Sequence, residues 1–425
     1  MTSFKDLELN PEYIEKLAER SIREPTEIQE RVIPRLLKGE DILFRSATGT
    51  GKTFAYLVPI LQRIRKEGTS RSGPTALVCA PTYELCAQIK KEADFLLAAP
   101  GAPGKAGSPG TLGAPGVPGA LGRTGKPGGP GAAGKAMLLT GSANLSRQIE
   151  GIKKDKPFLI VGNCGRLLQL ERMGKLRLSE VRYLVMDEAD RLVSDESLRE
   201  TTELVSRLGS GRITVACSAT IGERSMERLG SFFRENAGRE ESDDDRVLRL
   251  NIEHWAFYSE GRKKISTLRS LLTIAKPTKA LVFTDRAGQV GNIVAQLQHH
   301  GLAVSGLFGD MAKQDRKKAI DDFRAGRVKV LVASDLSARG LDIPDVTHVV
   351  ALDVPQTADA YAHRAGRTAR AGKTGIAATI GDEEELPRLA ALEKKLHIRV
   401  NPKMLFRGAI CIPEQIEEEE TEEEE

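Results

Sequence analysis

The sequence predicts an α/β protein of two tandem domains, each a parallel sheet flanked by helices, and three observations carry that reading. First, near-continuous Val, Ile and Leu runs alternate with segments of helical period, the pattern of parallel strands buried on both faces. The runs are Ala76–Ala80, Phe158–Gly162, Tyr183–Met186 and Ile213–Ala216, and later Ala280–Thr284, Val328–Ala333, Thr347–Leu352 and Gly375–Ile380. Second, the gap between the two sets, Arg234 to Arg249, is charged and poor in apolar residues, as a linker should be. Third, 425 residues exceed what one core organises. The expected layout is a first domain over 1–233, a linker over 234–249, a second domain over 250–412 and a tail over 413–425.

The chain opens on a helical pattern from Phe4 to Gly39, with Leu9, Tyr13, Ile14, Leu17 and Ala18 spaced for one face. Pro25-Thr26 interrupts it, and Thr26 is placed to cap the helix that carries Gln29. No apolar run approaches the ~20 residues of a membrane span, and MTSFKDLELN carries charges where a signal peptide has its apolar core. The five cysteines (Cys79, Cys86, Cys164, Cys217 and Cys411) form neither a CxxC pair nor a metal pattern. A cytoplasmic protein with buried thiols is expected.

The net charge is +4, but Glu414 to Glu425 hold nine Glu and no basic residue. Removing those nine negative charges from +4 leaves a body of +13. A basic body with an acidic, solubilising tail suits a polyanion such as nucleic acid.

One segment breaks the α/β pattern. From Gly101 to Ala136 glycine occupies every third position through twelve triplets, the signature of a collagen triple helix. Thirty-six residues in that geometry would span ~110 Å, yet both flanks must return to one domain. A flexible coil of this length has an end separation of only ~30–36 Å, and its closure costs ~2–3 kcal/mol plus a constant. The expectation is a low-complexity loop in a monomer; a trimer follows only if the triplets assemble.

The chemistry begins at Ser46-Ala-Thr-Gly-Thr-Gly-Lys-Thr53, which follows the apolar Asp41-Ile-Leu-Phe44 and leads into a helical Phe54–Leu61. Strand, glycine turn, Lys-Thr and helix make a phosphate cradle. The backbone of Thr48, Gly49, Thr50 and Gly51 and the helix N-terminus face phosphates, Lys52 reaches them, and the Thr53 hydroxyl faces Mg²⁺. Tyr183-Leu-Val-Met-Asp-Glu-Ala-Asp190 supplies the matching carboxylates at a strand end. Asp187 would hold Mg²⁺, and Glu188 would orient and deprotonate an attacking water.

Asp-Glu-Ala-Asp after SATGTGKT resembles the DEAD-box RNA helicases of superfamily 2, and the resemblance runs from Phe4 to about Val400 apart from the Gly-X-Y insert. It implies two RecA-like domains, ATP and Mg²⁺ as cofactors, and RNA as a partner bound through its backbone without sequence preference. Pro25-Thr26-Glu-Ile-Gln29 resembles the Q motif, in which Gln29 reads the adenine edge and Phe4, 17 residues before Ser21, stacks on the base. Ser218-Ala-Thr220 resembles the motif that couples hydrolysis to strand separation, with Asp190 and His363 implied in the same coupling. In the second domain Ser334-Asp-Leu-Ser-Ala-Arg-Gly-Leu-Asp342 resembles a motif shared between RNA and nucleotide, which implies that Gly340 and Asp342 meet the nucleotide. His363-Arg-Ala-Gly-Arg-Thr-Ala-Arg370 matches the arginine-finger motif. Arg364, Arg367 and Arg370 are expected on one helical face, with Arg367 as first choice of finger and Arg370 as second. The resemblance further implies RNA contacts at Pro81, Thr82, Gly141, Arg166, Thr284, Gly309, Ser334 and Arg364.

The RNA side of domain 1 departs from the family pattern. Tyr83 stands where an Arg is usual and Cys86 where an Ala is; Asn163-Cys164 replaces Thr-Pro, and Gly141-Ser142 replaces Gly-Gly. In domain 2, Phe308 replaces a His and Lys313 a Gln. Either RNA contact is rebuilt with other donors, such as Asn163 and Tyr83, or domain 1 grips RNA weakly, and loss of one charged phosphate contact then lowers the salt slope of binding by ~1. The expected activity is therefore an RNA-dependent ATPase that remodels short duplexes as its two domains close on ATP. The alternatives are a clamp that locks onto RNA without unwinding it, or an interaction protein acting through the Gly-X-Y segment.

Overall fold

The computed structural model describes residues 2–46, 50–70, 72–98, 135–219, 221–234, 237–241, 250–309, 311–338, 343–369 and 373–413. Thr48, Gly49, Thr220, Gly340, Asp342, Arg370, the triplets through residue 134 and the chain beyond 413 lie outside them. Two compact units form, with main bodies up to Glu240 and from Glu241 onward.

The first unit begins with α1 (Pro11–Glu19) and α2 (Glu27–Lys38), so the helical pattern starts later than Phe4, which sits in a turn. Strands β1 (Ile42–Arg45), β2 (Ala76–Cys79), β3 (Ala136–Leu139), β4 (Leu159–Gly162), β5 (Tyr183–Asp187), β6 (Ile213–Ser218) and β7 (Gly238–Glu241) form one sheet in the order β3-β4-β2-β5-β6-β1-β7. The pairs β3–β4, β4–β2, β2–β5 and β5–β6 are parallel. Alternate residues of these strands enter one core: Ala76 and Val78, Leu159 and Val161, Tyr183 and Val185, Ile213 and Val215. Leu77, Ile160, Leu184 and Ala216, of the opposite parity, are buried as well. That is the two-faced burial the apolar runs predict.

Two boundaries differ from the sequence expectation. Gly238–Glu241 lies inside the expected linker, yet it is the seventh strand of the first sheet. Gly238 N–H donates to the Asp41 carbonyl (2.8 Å), and the Arg234 guanidinium bonds the buried Asp41 carboxylate (2.6 Å). The strand needs no apolar sequence, because its burial pattern alternates half-buried and exposed positions. Ala136, counted with the triplets, is the first residue of β3, and Lys135 pairs with Asp155 (2.6 Å).

The second unit carries β8 (Ile252–Tyr258), β9 (Ala280–Phe283), β10 (Val304–Leu307), β11 (Val330–Ala333), β12 (His348–Ala351), β13 (Gly375–Gly381), β14 (Val400–Phe406) and β15 (Ala409–Cys411). Their order is β10-β11-β9-β12-β13-β8-β14-β15, parallel except for the antiparallel β14–β15 hairpin. Here the period of two separates the faces directly. Ala280, Val282, Val330, Val332 and Val350 pack on one side, and Leu281, Phe283, Leu331, Ala333 and Val349 on the other.

Candidate nucleotide and RNA sites

In a parallel sheet every strand delivers its following loop to the same edge, and ligands bind there. At the ends of β1 and β6, Ser46 N–H donates to the Ser218 carbonyl (3.0 Å). Ser218, the first residue of the expected coupling segment, therefore lies beside the start of the phosphate loop. Ser46 Oγ bonds Thr50 Oγ1 (2.5 Å), and Gly51 adopts φ +87°, a left-handed turn open to glycine. Helix α3 (Lys52–Glu67) starts on the Lys-Thr pair, and Lys52 Nζ donates to the Ser46 carbonyl (2.7 Å). The helix N-terminus and the Lys52 ammonium thus both lie beside Ser46, a pairing that attracts phosphate.

Asp187 ends β5 and is 4% exposed. Its Oδ1 accepts from Glu188 N–H (2.9 Å) and Cys217 S–H (3.3 Å), and its Oδ2 from the Tyr56 hydroxyl (2.8 Å). Tyr56 is fully buried one helical turn after Thr53, whose side chain also bonds its hydroxyl. Burial first, and the Asp187 charge second, push the Tyr56 phenol well above its ordinary range, so it stays a donor. This residue links Thr53 to Asp187, and sequence reading missed it. Its only signal was a polar-tipped aromatic three residues after the Lys-Thr pair. Glu188 follows at φ +50°, a conformation rare for a side chain of its size and one that clusters at functional sites.

The all-oxygen set of Thr53 and Asp187 suits a hard cation such as Mg²⁺. No group of three or more His, Cys, Asp or Glu side chains that could hold a metal occurs among the described residues. One carboxylate and one hydroxyl leave most ligand positions to water and phosphate, as Mg²⁺ requires. Thr26 caps α2, and its N–H donates to Gln29 Oε1 (3.1 Å) in a capping box. Gln29 and Phe4 are 1% and 2% exposed, with Phe4 in the main core. Asp190 lies on the short helix α7 (Ala189–Leu192) beyond Glu188.

Four residues expected to face RNA follow neighbouring strands on the same edge. Pro81 and Thr82 follow β2, and Thr82 caps α4 (Tyr83–Leu97) by accepting from Leu85 N–H (3.3 Å). Gly141 follows β3 and is exposed. Arg166 lies on α6 (Cys164–Arg172) and donates to the Gly141 carbonyl (2.9 Å), the Ala143 carbonyl (3.1 Å) and Gln148 Oε1 (2.7 Å). Asn163, just before α6, accepts from Gly141 N–H (3.2 Å) through Oδ1. Arg166 and Asn163 thus engage both backbone groups of Gly141.

In the second unit Gly309, Ser334 and Arg364 line one cavity of ≈ 510 Å³, together with Asp285, Asp335 and Arg316. Ser334 Oγ accepts from Ser337 N–H (3.3 Å) at the start of the next helical turn. Arg364, on the helix Ala358–Ala365, is 3% exposed. It pairs with Asp335 (2.7 Å) and Asp285 and donates to the Asp353 carbonyl (3.1 Å). Thr284 does not line the cavity; it is buried and donates to Asp353 Oδ2 (2.9 Å). Phe308 is half-buried against the core, with its ring near Gly291 and Gly306.

His363 shares the helix of Arg364, but the expected run of three arginines on one helical face is corrected. The helix ends at Ala365 with Gly366 as its cap, which places Arg367 in the following turn, 9% exposed. Thr368 fixes that turn by donating to the Val346 carbonyl (2.5 Å).

Residues 26–106 and 123–229 match the DEAD/DEAH box helicase family, and residues 263–372 match the helicase conserved C-terminal domain. The first match is interrupted inside the Gly-X-Y run. The chain is 31% identical over 394 residues to the DEAD-box ATP-dependent RNA helicase CshC of Bacillus cereus, spanning 91% of this chain and 90% of that protein. It is 32% identical over 392 residues to CshA of Bacillus subtilis, spanning 92% and 72%. Among solved structures, Saccharomyces cerevisiae Dbp5 bound to RNA and ADP BeF3 aligns with a TM-score of 0.76 at 26% identity, covering 95% of each chain.

Proposed function

The chain belongs to the DEAD-box ATP-dependent RNA helicases, and from that premise we propose which of its residues do the work. It is an RNA-dependent ATPase with two RecA-like domains, and it remodels short RNA duplexes as those domains close on ATP. The observation that carries the assignment is the buried Asp187 carboxylate, bonded through Tyr56 to the helix that begins with Lys52 and Thr53.

Thr48, Gly49, Thr50 and Gly51 offer backbone N–H groups to the phosphates, and Lys52 exchanges its Ser46 partner for a phosphate oxygen. Thr53 and Asp187 hold Mg²⁺, which supplies neutralisation of the phosphate charge. Glu188 orients a water and takes its proton. Gln29, Thr26 and Phe4 bind the base side. Arg367, with Arg370 second, answers the charge that develops on the transferring phosphoryl group, and Gly340 and Asp342 meet the nucleotide. Ser218, Thr220, Asp190 and His363 couple hydrolysis to RNA. Pro81, Thr82, Gly141 and Arg166 on one unit and Thr284, Gly309, Ser334 and Arg364 on the other form the RNA track, with Arg364 and Thr284 acting as braces rather than phosphate contacts. The protein works as a cytoplasmic monomer. No helix among the described residues is long and apolar enough to cross a membrane.

The test is ATP hydrolysis with and without single-stranded RNA, alongside Glu188→Gln. RNA should raise the rate of the native chain. The variant should lose about 10²–10⁴-fold, the usual worth of a general base, while still binding ATP. A rate indifferent to RNA removes the assignment. A second reading, a clamp that binds RNA without separating strands, is favoured by one observation: Gly141 N–H already has an internal partner. RNA-stimulated hydrolysis without strand release would select it.

A further inference from the structure

We propose that Asn163 is a latch that keeps the Gly141 N–H from RNA and so sets how weakly the first domain grips its substrate. The inference rests on the assignment of the loops after β2, β3 and β4 to the RNA track.

Asn163 stands at the N-cap of α6, where an Asn side chain ordinarily accepts from a backbone N–H of the first turn. Here it makes no cap bond. It turns outward instead: Oδ1 accepts from Gly141 N–H (3.2 Å), and Nδ2 donates to the Ala80 carbonyl (3.5 Å) and lies 3.8 Å from Cys86 Sγ. One side chain therefore joins the loop after β2, the loop after β3 and the start of α6. The strands beneath are close enough to hold this register. A Cβ at Gly162 would lie 2.3 Å from the Leu139 carbonyl oxygen, so only glycine fits there.

Gly141 itself has open space around it, with nothing within 4 Å of an added Cβ. An exposed backbone N–H in such a loop is a ready donor to a phosphate oxygen. RNA approaching it must compete with an amide oxygen that is already in place. The Gly141 carbonyl is held separately by Arg166, which also fixes Ala143 and Gln148. Removing the Asn163 side chain should therefore free the donor while the loop keeps its position. This predicts a gain in affinity, the opposite of what removing an RNA contact or damaging the fold would produce.

The experiment uses the full chain, native and Asn163→Ala, with Asn163→Thr as a smaller change should the first fold poorly. Fluorescence anisotropy with a labelled oligouridine and a non-hydrolysable ATP analogue reads affinity. Hydrogen exchange of the peptide containing Gly141 reads the latch without RNA. Both variants should bind RNA about 5-fold more tightly, one neutral hydrogen bond's worth, and Gly141 should exchange faster. Unchanged exchange means the latch does not exist. Faster exchange with equal or weaker RNA binding means that it does not govern RNA; both results overturn the proposal. If the native chain and the variants all fail to bind RNA, the proposal falls together with the RNA assignment, a case identified by the absence of RNA-stimulated hydrolysis.

Discussion

Two regions on the edge of one sheet invite comparison. Where β1, β5 and β6 end, polar groups are arranged around one acidic side chain: three donors converge on Asp187, and among the described residues Lys52 donates to a backbone carbonyl. Where β2, β3 and β4 end, the polar groups are arranged around each other. Asn163 and Arg166 both engage Gly141, and Thr82 caps its own helix. The first region is pre-set for a ligand that brings its own charge. The second satisfies its backbone internally, and on the proposed RNA assignment a phosphate would have to displace what is there. The lesson is that a motif's residue types and its availability are separate properties. Five of the seven departures from the family pattern (Tyr83, Cys86, Ser142, Asn163 and Cys164) fall in the second region, and the other two, Phe308 and Lys313, lie in the second unit.

The sharpest break of this comparison is in the second unit, where an arginine expected on RNA is enclosed by acids. Arg364→Ala should destabilise that unit by about 2–3 kcal/mol. This is less than the ~3–5 kcal/mol of a fully buried pair, because the Asp335 and Asp285 side chains are 31% and 33% exposed. Chemical denaturation of the full chain checks this, and a loss of RNA affinity with unchanged stability would return Arg364 to the role of a direct contact. Next in size, Tyr56→Phe removes one hydroxyl and keeps the ring. It should weaken Mg²⁺-dependent binding of a fluorescent ATP analogue by about 10-fold, the low end for a group that orients a metal ligand. An unaltered Mg²⁺ dependence would show that Asp187 is oriented without it.

The smallest effect is expected from the most conspicuous sequence feature. Helix α4 leaves the functional edge at Tyr83 and runs back along the sheet to Leu97, and β3 starts from that far edge at Ala136. The described residues that flank the Gly-X-Y segment, Leu97 and Ala136, therefore lie opposite the loops assigned to ATP and RNA, although in sequence it lies between RNA-side motifs. Replacing residues 101–134 with a short Gly-Ser linker should leave RNA-stimulated hydrolysis within about twofold, well inside the ~1 kcal/mol of a single contact. A larger loss would favour the reading in which the triplets are the working part.

Much of the architecture was legible because buried parallel strands must be apolar on both faces; eight runs marked eight strands. Strands β3, β7, β8, β10, β14 and β15 were missed; β3, Ala136-Met-Leu-Leu139, is apolar throughout yet was not among the eight runs, whereas two others lie where the rule does not bind. Gly238–Glu241 lies at a sheet edge and exposes two of its three charged residues, and Val304-Ser-Gly-Leu307 is a short edge strand interrupted by small residues. The phosphate loop and Asp187 were legible as motifs. The Tyr56–Asp187 bond joins residues 131 apart and the Asn163–Gly141 bond residues 22 apart. Such pairings exist only once the strands are in register. Gly366 could have warned that the helix under the arginines stops early, since glycine commonly closes helices.

The measurement that bears most directly on this account is the ATPase rate of the full chain titrated with single-stranded RNA. The account predicts clear stimulation whose half-saturation lies at a high RNA concentration and shifts down about 5-fold in Asn163→Ala, as one freed donor implies. Hydrolysis that RNA does not raise, or stimulation with the same half-saturation in both proteins, would contradict it.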